Sequence, residues 1–333
     1  MHYPLPRDFQ LSFADLRPAF KGLRSPECIL TNQAGAFLFS DRRGGVTHIG
    51  PEGKAELIVG KTVHGEALHS NGIALRGNGR VLIAHLGDGD GGVYELDATG
   101  NAIPIVVQLE DKPLPPTNFV LEDGEGNIWF TVSTRQLPRS RAWYPDQADG
   151  YIAVHNAGGT RILADGLGYT NEIAFSPDGR HVYVNETHAR RVTRFRLRPG
   201  PVLEDREVVC AFDEGDQPDG IAFDACGGVW VTCIVSNKLF VLRPDGVRQL
   251  VLADTDGAHV KAYIADMRAR GLRRDSIWTC GSSRLGNVSS ICFGGPDRKT
   301  AYLGSLLGEG VLAFDSPVAG AEPLQWKRNF HTP

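Results

Sequence analysis

The sequence has no long apolar run and no tract rich in lysine and arginine. A membrane helix needs about 18 consecutive apolar residues, and nucleic-acid-binding domains usually carry a basic patch. The formal net charge of this chain is −4. We therefore expect neither a membrane nor a nucleic-acid partner. The first residues also lack the charged and then apolar pattern of a signal peptide, so we expect a cytoplasmic protein.

Closely spaced cysteines are absent as well. The six cysteines are dispersed, with no CxxC pair and no spacing typical of a zinc site. We expect them to be reduced and mostly buried, because a free cysteine behaves as a small hydrophobic residue. No G-x-S-x-G motif occurs, so a serine-esterase mechanism has no support.

Glycine, by contrast, is abundant, at 40 of 333 residues. This fraction is well above the usual value of about 7% and indicates a chain with many turns. An apolar fraction of 41% is enough for a substantial core. Together these features favour a turn-rich β architecture.

An internal repeat determines the expected fold. Six segments, 44 to 70 residues apart, open with a polar residue, a spacer and then alternating apolar residues. The polar opening residues are Glu27, Asn71, Asn118, Asn171, Asp219 and Ser289.

Each opening is followed by a turn rich in glycine, aspartate, asparagine or proline, and then by a second β-rich run such as VLIAH, IWFTV or VWVTC. This pattern is typical of a β-hairpin, and two more short strands usually follow. The sequence therefore predicts an all-β fold, a single six-bladed β-propeller over residues 1–333 with four antiparallel strands per blade. A two-sheet sandwich is the alternative, but it does not explain the recurring polar opening.

Three segments lie outside the repeat. Residues 1–26 exceed what six blades need, and we expect them to supply a strand that closes the ring, because an open propeller leaves unpaired edges. Residues 134–150 join the second and third strands of blade three and are expected to form a lid. Residues 254–285 lie between blades five and six, and their apolar spacing predicts a short amphipathic helix.

The six opening residues are expected to form a polar ring. First strands line the channel of a propeller, so equivalent positions lie at one level around it. Converging carboxylates and amides are costly to bury unless a partner satisfies them. Their hard oxygen atoms suit Ca²⁺ best, with Mg²⁺, Mn²⁺ or Zn²⁺ as alternatives. The competing interpretation is that these residues cap strand starts and bind channel water.

The chain resembles the senescence marker protein-30/gluconolactonase family and, more distantly, the paraoxonases and strictosidine-synthase-like propellers. The resemblance is carried by Pro26-Glu27, Thr117-Asn118, Thr170-Asn171 and Pro218-Asp219. It implies that Glu27, Asn171 and Asp219 bind one divalent metal ion, usually Ca²⁺, and that Asn118 lies beside the metal or contacts the substrate.

Two positions depart from the family pattern. Many gluconolactonases have Asn-Asp where this chain has Asn118-Phe119, so a carboxylate that helps to hold sugar hydroxyls is missing. His85 matches the second histidine of the paraoxonase-like pair, whereas the first falls on Asn71. Both departures concern the substrate and leave the metal ligands unchanged.

The resemblance implies that a small-molecule lactone is hydrolysed. Asp219 is our first choice for the general base and His85 the second, with Asn118, Asn71 and His69 as substrate contacts. The residues of the lid expected to hold an anionic lactone are Arg135, Arg141 and Trp143. Two alternatives stay open, a non-enzymatic interaction propeller and a lyase or synthase on the same fold.

Overall fold

The structure is a computed structural model that describes residues 3–330. It is a six-bladed β-propeller, as the sequence predicted, built from six four-stranded antiparallel sheets and one small hairpin. The strands are β1 (Arg17–Lys21), β2 (Ile29–Thr31), β3 (Phe37–Asp41), β4 (Gly45–Ile49), β5 (Ala55–Val59), β6 (Ser70–Leu75), β7 (Val81–Leu86), β8 (Gly91–Leu96), β9 (Ala102–Val106), β10 (Gln108–Leu109), β11 (Lys112–Pro113), β12 (Thr117–Glu122), β13 (Ile128–Val132), β14 (Gly150–Asn156), β15 (Gly159–Leu167), β16 (Thr170–Phe175), β17 (His181–Glu186), β18 (Arg191–Arg198), β19 (Val202–Ala211), β20 (Asp216–Phe223), β21 (Val229–Val235), β22 (Lys238–Leu242), β23 (Arg248–Ala253), β24 (Val288–Gly294), β25 (Thr300–Ser305) and β26 (Gly310–Asp315).

Blades one to five are β2–β5, β6–β9, β12–β15, β16–β19 and β20–β23, and β10 pairs with β11 between blades two and three. The sixth blade joins the two ends of the chain. It contains β24, β25 and β26, and its outermost strand is β1, which pairs with β26. The N-terminal segment thereby supplies the fourth strand of the sixth blade and closes the ring by pairing with β26.

Tight hairpins connect the first two strands of each blade. In blades three and five the turn is fixed by an aspartate that precedes it and a tryptophan six residues later. Trp129 Nε1 donates to Asp123 at 2.8 Å, and Trp230 Nε1 donates to Asp224 at 2.9 Å. The other oxygen of each carboxylate accepts two backbone N–H groups of the turn. The indole rings can therefore be buried with their polar atom satisfied.

A β-bulge occurs at the polar opening of five inner strands. The pairing register shifts around Asn71, Asn118, Asn171, Asp219 and Ser289. A bulge turns a side chain away from the regular alternation of the strand and is common next to functional sites. The five bulges therefore lie at equivalent positions of their blades.

Small hydroxyl side chains satisfy the backbone groups released at these irregularities. Thr131 Oγ1 accepts the N–H of Phe119 at 3.1 Å, and Thr232 Oγ1 accepts the N–H of Gly220 at 2.9 Å. Ser40 accepts the N–H of Cys28 in blade one at 2.9 Å. The three hydroxyl residues occupy the fourth position of the runs FLFS, IWFT and VWVT, so the repeat includes the groups that stabilise the openings.

Glycine is required at position 220, next to the opening residue of blade five, because the backbone of blade six lies very close to it. A Cβ atom on Gly220 would lie 2.4 Å from the carbonyl oxygen of Ser289. Real Cβ contacts are never that short, so only glycine allows the first strands of blades five and six to approach at this point.

The insertion before blade six contains helix α1 (Gly257–Arg268) and a 3₁₀ turn (Arg274–Ile277). Asp256 caps α1 by accepting the N–H groups of Ala258 and His259 at 2.9 and 3.0 Å. Within the described part of the chain, no helix has the length and apolarity needed to cross a membrane.

Candidate functional site

The candidate site lies where the inner strands begin, at one mouth of the central channel. Asn71, Asn118, Asn171 and Asp219 are all buried there, and Glu27 is half-buried directly before β2. Neighbouring inner strands contact one another around the channel, which brings the opening residues of different blades together. The predicted polar ring is therefore assembled from residues that are distant in sequence.

Glu27 is a carboxylate in an environment that disfavours its charge. Burial raises its pKa to about 7, although the Asn71 amide and the charges of Arg139 and Arg42 act in the opposite direction. Neither arginine lies within ion-pair distance of Glu27 among the described residues. Glu27 is therefore hydrogen-bonded to the Asn71 amide but has no cationic partner within the described residues.

Asp219 is the second carboxylate of the ring. Burial raises its pKa well above the usual range, and the negative charges of Glu27 and Glu172 raise it further. The side-chain amide of Asn171 donates to Asp219 Oδ1. Within the described part of the chain, no cationic side chain is bonded to either Glu27 or Asp219. Two acids that repel each other in a buried space favour a bound cation.

Blade four fixes the position of Asp219 through its second strand. Asn185 Nδ2 donates to the Asp219 carbonyl oxygen at 2.7 Å, and Thr187 Oγ1 donates to the Pro218 carbonyl at 2.8 Å. Thr187 also accepts the Asn171 amide at 2.9 Å. Our sequence analysis missed both residues. The sequence feature that could have revealed them is the run VYVNET, in which an otherwise apolar strand ends in polar residues.

Glu172 was also missed, because the repeat assigns it to the spacer position. It is buried, and Oε2 accepts the backbone N–H of Ile221 at 3.0 Å. Burial and the charge of Glu27 raise the pKa of Glu172 well above its usual range. The residue lines a cavity of about 640 Å³ together with apolar residues of other inner strands, among them Ile73 and Ile221. Glu172 thus adds a third acid below the ring.

Asn118 supplies the clearest sign that this polar ring binds a ligand. Its Oδ1 atom is buried and has no hydrogen-bond partner among the described residues, while its carbonyl oxygen accepts the Asn71 amide at 3.0 Å. A buried amide oxygen without a partner is unfavourable unless something binds it. Together with Glu27, Asn171 and Asp219, it presents the oxygen donor set that a hard cation prefers.

Within residues 3–330, no group of three or more His, Cys, Asp or Glu side chains is arranged as a metal site. A cation in the ring would therefore depend on amide oxygens as well as the two carboxylates. This agrees with a hard ion such as Ca²⁺ and disfavours an ion that prefers imidazole or thiolate ligands.

His85 is placed near the ring, but its basic nitrogen is occupied. Nδ1 accepts the backbone N–H of His69 at 2.9 Å, and Nε2 lies 3.6 Å from Asp90. Burial lowers the pKa of His85. The His69 ring is 5.8 Å from the His85 ring and is exposed. This geometry makes His85 a weaker base than Asp219.

The loop expected to act as a lid packs at the same mouth. Trp143 is buried and stacks on His188 with 5.7 Å between ring centroids, and its indole N–H has no partner among the described residues. The loop shares an apolar cluster with α1 through Tyr263 and Met267. The two insertions therefore form one connected surface beside the ring.

The arginines of this loop have different partners. Arg135 forms two bonds with Asp165, at 2.8 and 2.9 Å, and lies over the Tyr151 ring, so its donors are already used at the surface. Arg141 is exposed, and it is Arg139 that acts on Glu27. Their spacing in sequence could not separate these three side chains, because direction in this loop depends on contacts with distant residues, Asp165 for Arg135 and Tyr169 for Arg139.

Comparison with known proteins identifies the family. A family model described as the SMP-30/Gluconolactonase/LRE-like region matches residues 25–255. The chain therefore belongs to this family, as the resemblance in sequence indicated.

Individual relatives are distant. A curated relative is the 6-deoxy-6-sulfogluconolactonase of Pseudomonas putida, 29% identical over 159 residues, which are 46% of this chain and 52% of that protein. The chain thus spans about half the length of that relative.

Solved structures share the fold over most of both chains. A gluconolactonase of Xanthomonas campestris superposes with a TM-score of 0.65 at 19% identity, covering 92% of this chain and 89% of the other. Regucalcin of Agrobacterium tumefaciens, described as a calcium-binding protein, gives 0.62 at 18% identity, covering 94% and 97%. At these identities the likeness concerns the fold alone.

Proposed function

We propose that this protein is a hydrolase that opens a lactone ring with the help of a divalent metal ion in its central channel. The observation that carries the proposal is the buried ring in which two mutually repelling carboxylates, Glu27 and Asp219, meet the unpartnered amide oxygen of Asn118. Membership of a family that includes gluconolactonases supports the reaction type.

Glu27, Asn171 and Asp219 would hold the ion, with Asn118 as a fourth ligand or one water molecule away. The oxygen-only donor set favours Ca²⁺ over Mg²⁺, Mn²⁺ or Zn²⁺. A structural neighbour described as calcium-binding is consistent with this choice. When bound, the ion would polarise the lactone carbonyl and stabilise the negative charge that develops on its oxygen.

Asp219 is the proposed general base. Its Oδ1 atom is hydrogen-bonded to Asn171, which leaves Oδ2 to take a proton from the attacking water. The water oxygen forms a bond with the carbonyl carbon, and the ring C–O bond then breaks. The proton passes from Asp219 to the departing ring oxygen, so the product is the open-chain hydroxy acid.

The substrate would enter from the mouth covered by the two insertions. Asn118, Asn71 and His69 would contact the substrate there, and Trp143 would form part of the apolar wall. The proposed location of the protein is the cytoplasm. Six free cysteines support it, because oxidising compartments favour disulfides.

The test measures the hydrolysis of a panel of lactones by protein from which metal ions have been removed with a chelator, before and after Ca²⁺ is added back. We expect hydrolysis only with the metal, and one labelled oxygen in each product molecule when water carries heavy oxygen. Turnover without uptake of labelled oxygen would indicate a lyase or synthase. Loss of all turnover in both states, together with undetectable Ca²⁺ binding, would favour an interaction propeller.

A further inference from the structure

Two arginines at the channel mouth have no acidic partner among residues 3–330. Arg42 follows β3 in blade one, and its guanidinium lies 4.0 Å from the centre of the Trp278 ring. Arg139 belongs to the blade-three loop and donates to the Tyr169 hydroxyl at 3.3 Å. Stacking on an aromatic ring orients a guanidinium while leaving its N–H groups available.

Arg42 lies beside Glu27 because β2 and β3 pair at this point, where the Ser40 N–H donates to the Cys28 carbonyl oxygen at 2.9 Å. Arg139 is held by Tyr169, which belongs to an apolar cluster against which Trp278, the ring under Arg42, also packs. The tertiary fold therefore brings both arginines to the same mouth, where their charges also lower the pKa of the Glu27 carboxyl. If their function were only to neutralise Glu27, direct ion pairs would be expected, and none occurs within the described residues. Their hydrogen-bond donors therefore remain available to a ligand.

The charge balance of the site points to the kind of ligand. A divalent cation would neutralise Glu27 and Asp219, and the charges of Arg42 and Arg139 would then exceed the negative charge of the mouth. Guanidinium groups bind carboxylate, sulfonate and phosphate oxygens through charge-assisted bonds. An uncharged lactone would leave both groups without a partner.

We propose that Arg42 and Arg139 form an anion-binding subsite, so that the preferred lactone carries a second acidic group besides its ring ester. This inference rests on the proposed lactonase function. The acidic group would bind the two guanidinium groups, and the lactone carbonyl would be directed toward the ion that Glu27, Asn171 and Asp219 would hold. Carboxylate, sulfonate and phosphate share this chemistry, and the experiment below separates them.

The test compares kcat/KM for a glucarate monolactone, a sulfogluconolactone and a phosphogluconolactone with that for uncharged gluconolactone. In Arg42→Gln and Arg139→Gln, the kcat/KM for an acidic lactone divided by that for the uncharged lactone should fall about 10- to 100-fold. This fall of about 10- to 100-fold is the usual effect of losing one hydrogen bond to a charged group. The acidic lactone with the largest fall identifies the preferred group.

Arg135→Gln and Arg141→Gln are matched controls, because both side chains lie in the same loop as Arg139. They should change the ratio by less than about threefold, since neither side chain interacts with Glu27. Equal losses on acidic and uncharged lactones, or equal effects of all four variants, would overturn the anion-binding subsite.

A binding measurement separates this inference from the proposed reaction. Calorimetry on Ca²⁺-loaded protein should show tighter binding of glucarate than of gluconate, and the difference should disappear in Arg42→Gln and Arg139→Gln. If glucarate binds more tightly in this way but no lactone is turned over, the anion-binding subsite is supported and the hydrolase function is rejected. Lactone turnover with no preference for glucarate would reject the subsite and retain the hydrolase.

Discussion

Asp219 is the residue on which the proposed chemistry depends most, because it combines a raised pKa with one carboxylate oxygen that is not bonded to Asn171. Asp219→Asn keeps an oxygen ligand and removes the base. Turnover should fall by about 10²- to 10⁴-fold, as is typical when general-base catalysis is lost, while Ca²⁺ affinity should fall less.

The measurement is kcat at saturating Ca²⁺. Asp224→Asn is the control, because Asp224 directly follows β20, the strand that carries Asp219. This variant should keep its turnover when it is assayed at a temperature at which it is folded. Near wild-type kcat in Asp219→Asn would move the role of base to another group, with His85 next in order.

His188 gives a prediction about acid stability. It is buried beside Trp143 and Tyr169, and burial, reinforced by the charge of Arg190, lowers its pKa to about 3. In the unfolded chain an ordinary histidine takes up a proton near pH 6.5. The unfolded state therefore binds more protons than the folded state between these values, and stability falls as the pH drops below about 6.5.

Between pH 7 and pH 5 this single group should reduce the free energy of unfolding by about 2 kcal/mol. His188→Phe keeps an aromatic ring and removes the titration, so its loss over the same interval should be smaller by that amount. Urea unfolding at the two pH values checks this. An identical loss in both proteins would mean that His188 is protonated in the folded state.

At the scale of single elements, the paired Asp and Trp residues of the hairpin turns allow a matched comparison. Asp224 is fully buried and bonds Trp230, two backbone N–H groups and the Tyr3 hydroxyl. Asp123 makes the equivalent turn in blade three but is partly exposed.

Asp224→Ala leaves a buried indole N–H and two turn N–H groups without acceptors, and should reduce the free energy of unfolding by at least about 3 kcal/mol. Asp123→Ala should cost about half as much, because water can reach its partners. Denaturant unfolding measures both. Equal costs would show that burial of the turn is not what makes Asp224 important.

The strands could be predicted from sequence because alternating apolar residues between turn signals occur in every repeat. The bulges at Asn118 or Asp219 could not, because a register shift depends on how two strands pair and leaves no local pattern. The same reason explains why Arg139 could not be distinguished from Arg135 and Arg141. Side-chain direction in that loop is decided by contacts with Tyr169 and Asp165, which are distant in sequence.

At the scale of the whole molecule, the repeat period predicted the propeller, and the equivalence of the blades predicted the polar ring. The supporting contacts were not predictable, because Asn185 and Thr187 act across a blade boundary on Pro218 and Asp219. A repeat shows which positions are equivalent, whereas the bonds between neighbouring blades depend on the closed ring.

A cation in this ring would cross-link blades one, four and five through Glu27, Asn171 and Asp219. Because it would bind only the folded state, Ca²⁺ at about 100 times its dissociation constant should stabilise the protein by about 2.7 kcal/mol. Thermal unfolding with chelator and with Ca²⁺ measures this effect. Glu27→Gln should lose most of it, and Arg135→Gln should retain it, whereas an equal shift in both variants would place the ion elsewhere.

The most direct test of the central claim is a crystal structure of the protein grown with Ca²⁺. We predict one ion in the channel, with oxygen atoms of Glu27, Asn171 and Asp219 at about 2.3–2.6 Å from it. A channel without an ion at saturating Ca²⁺, or an ion bound away from these three residues, would contradict the account.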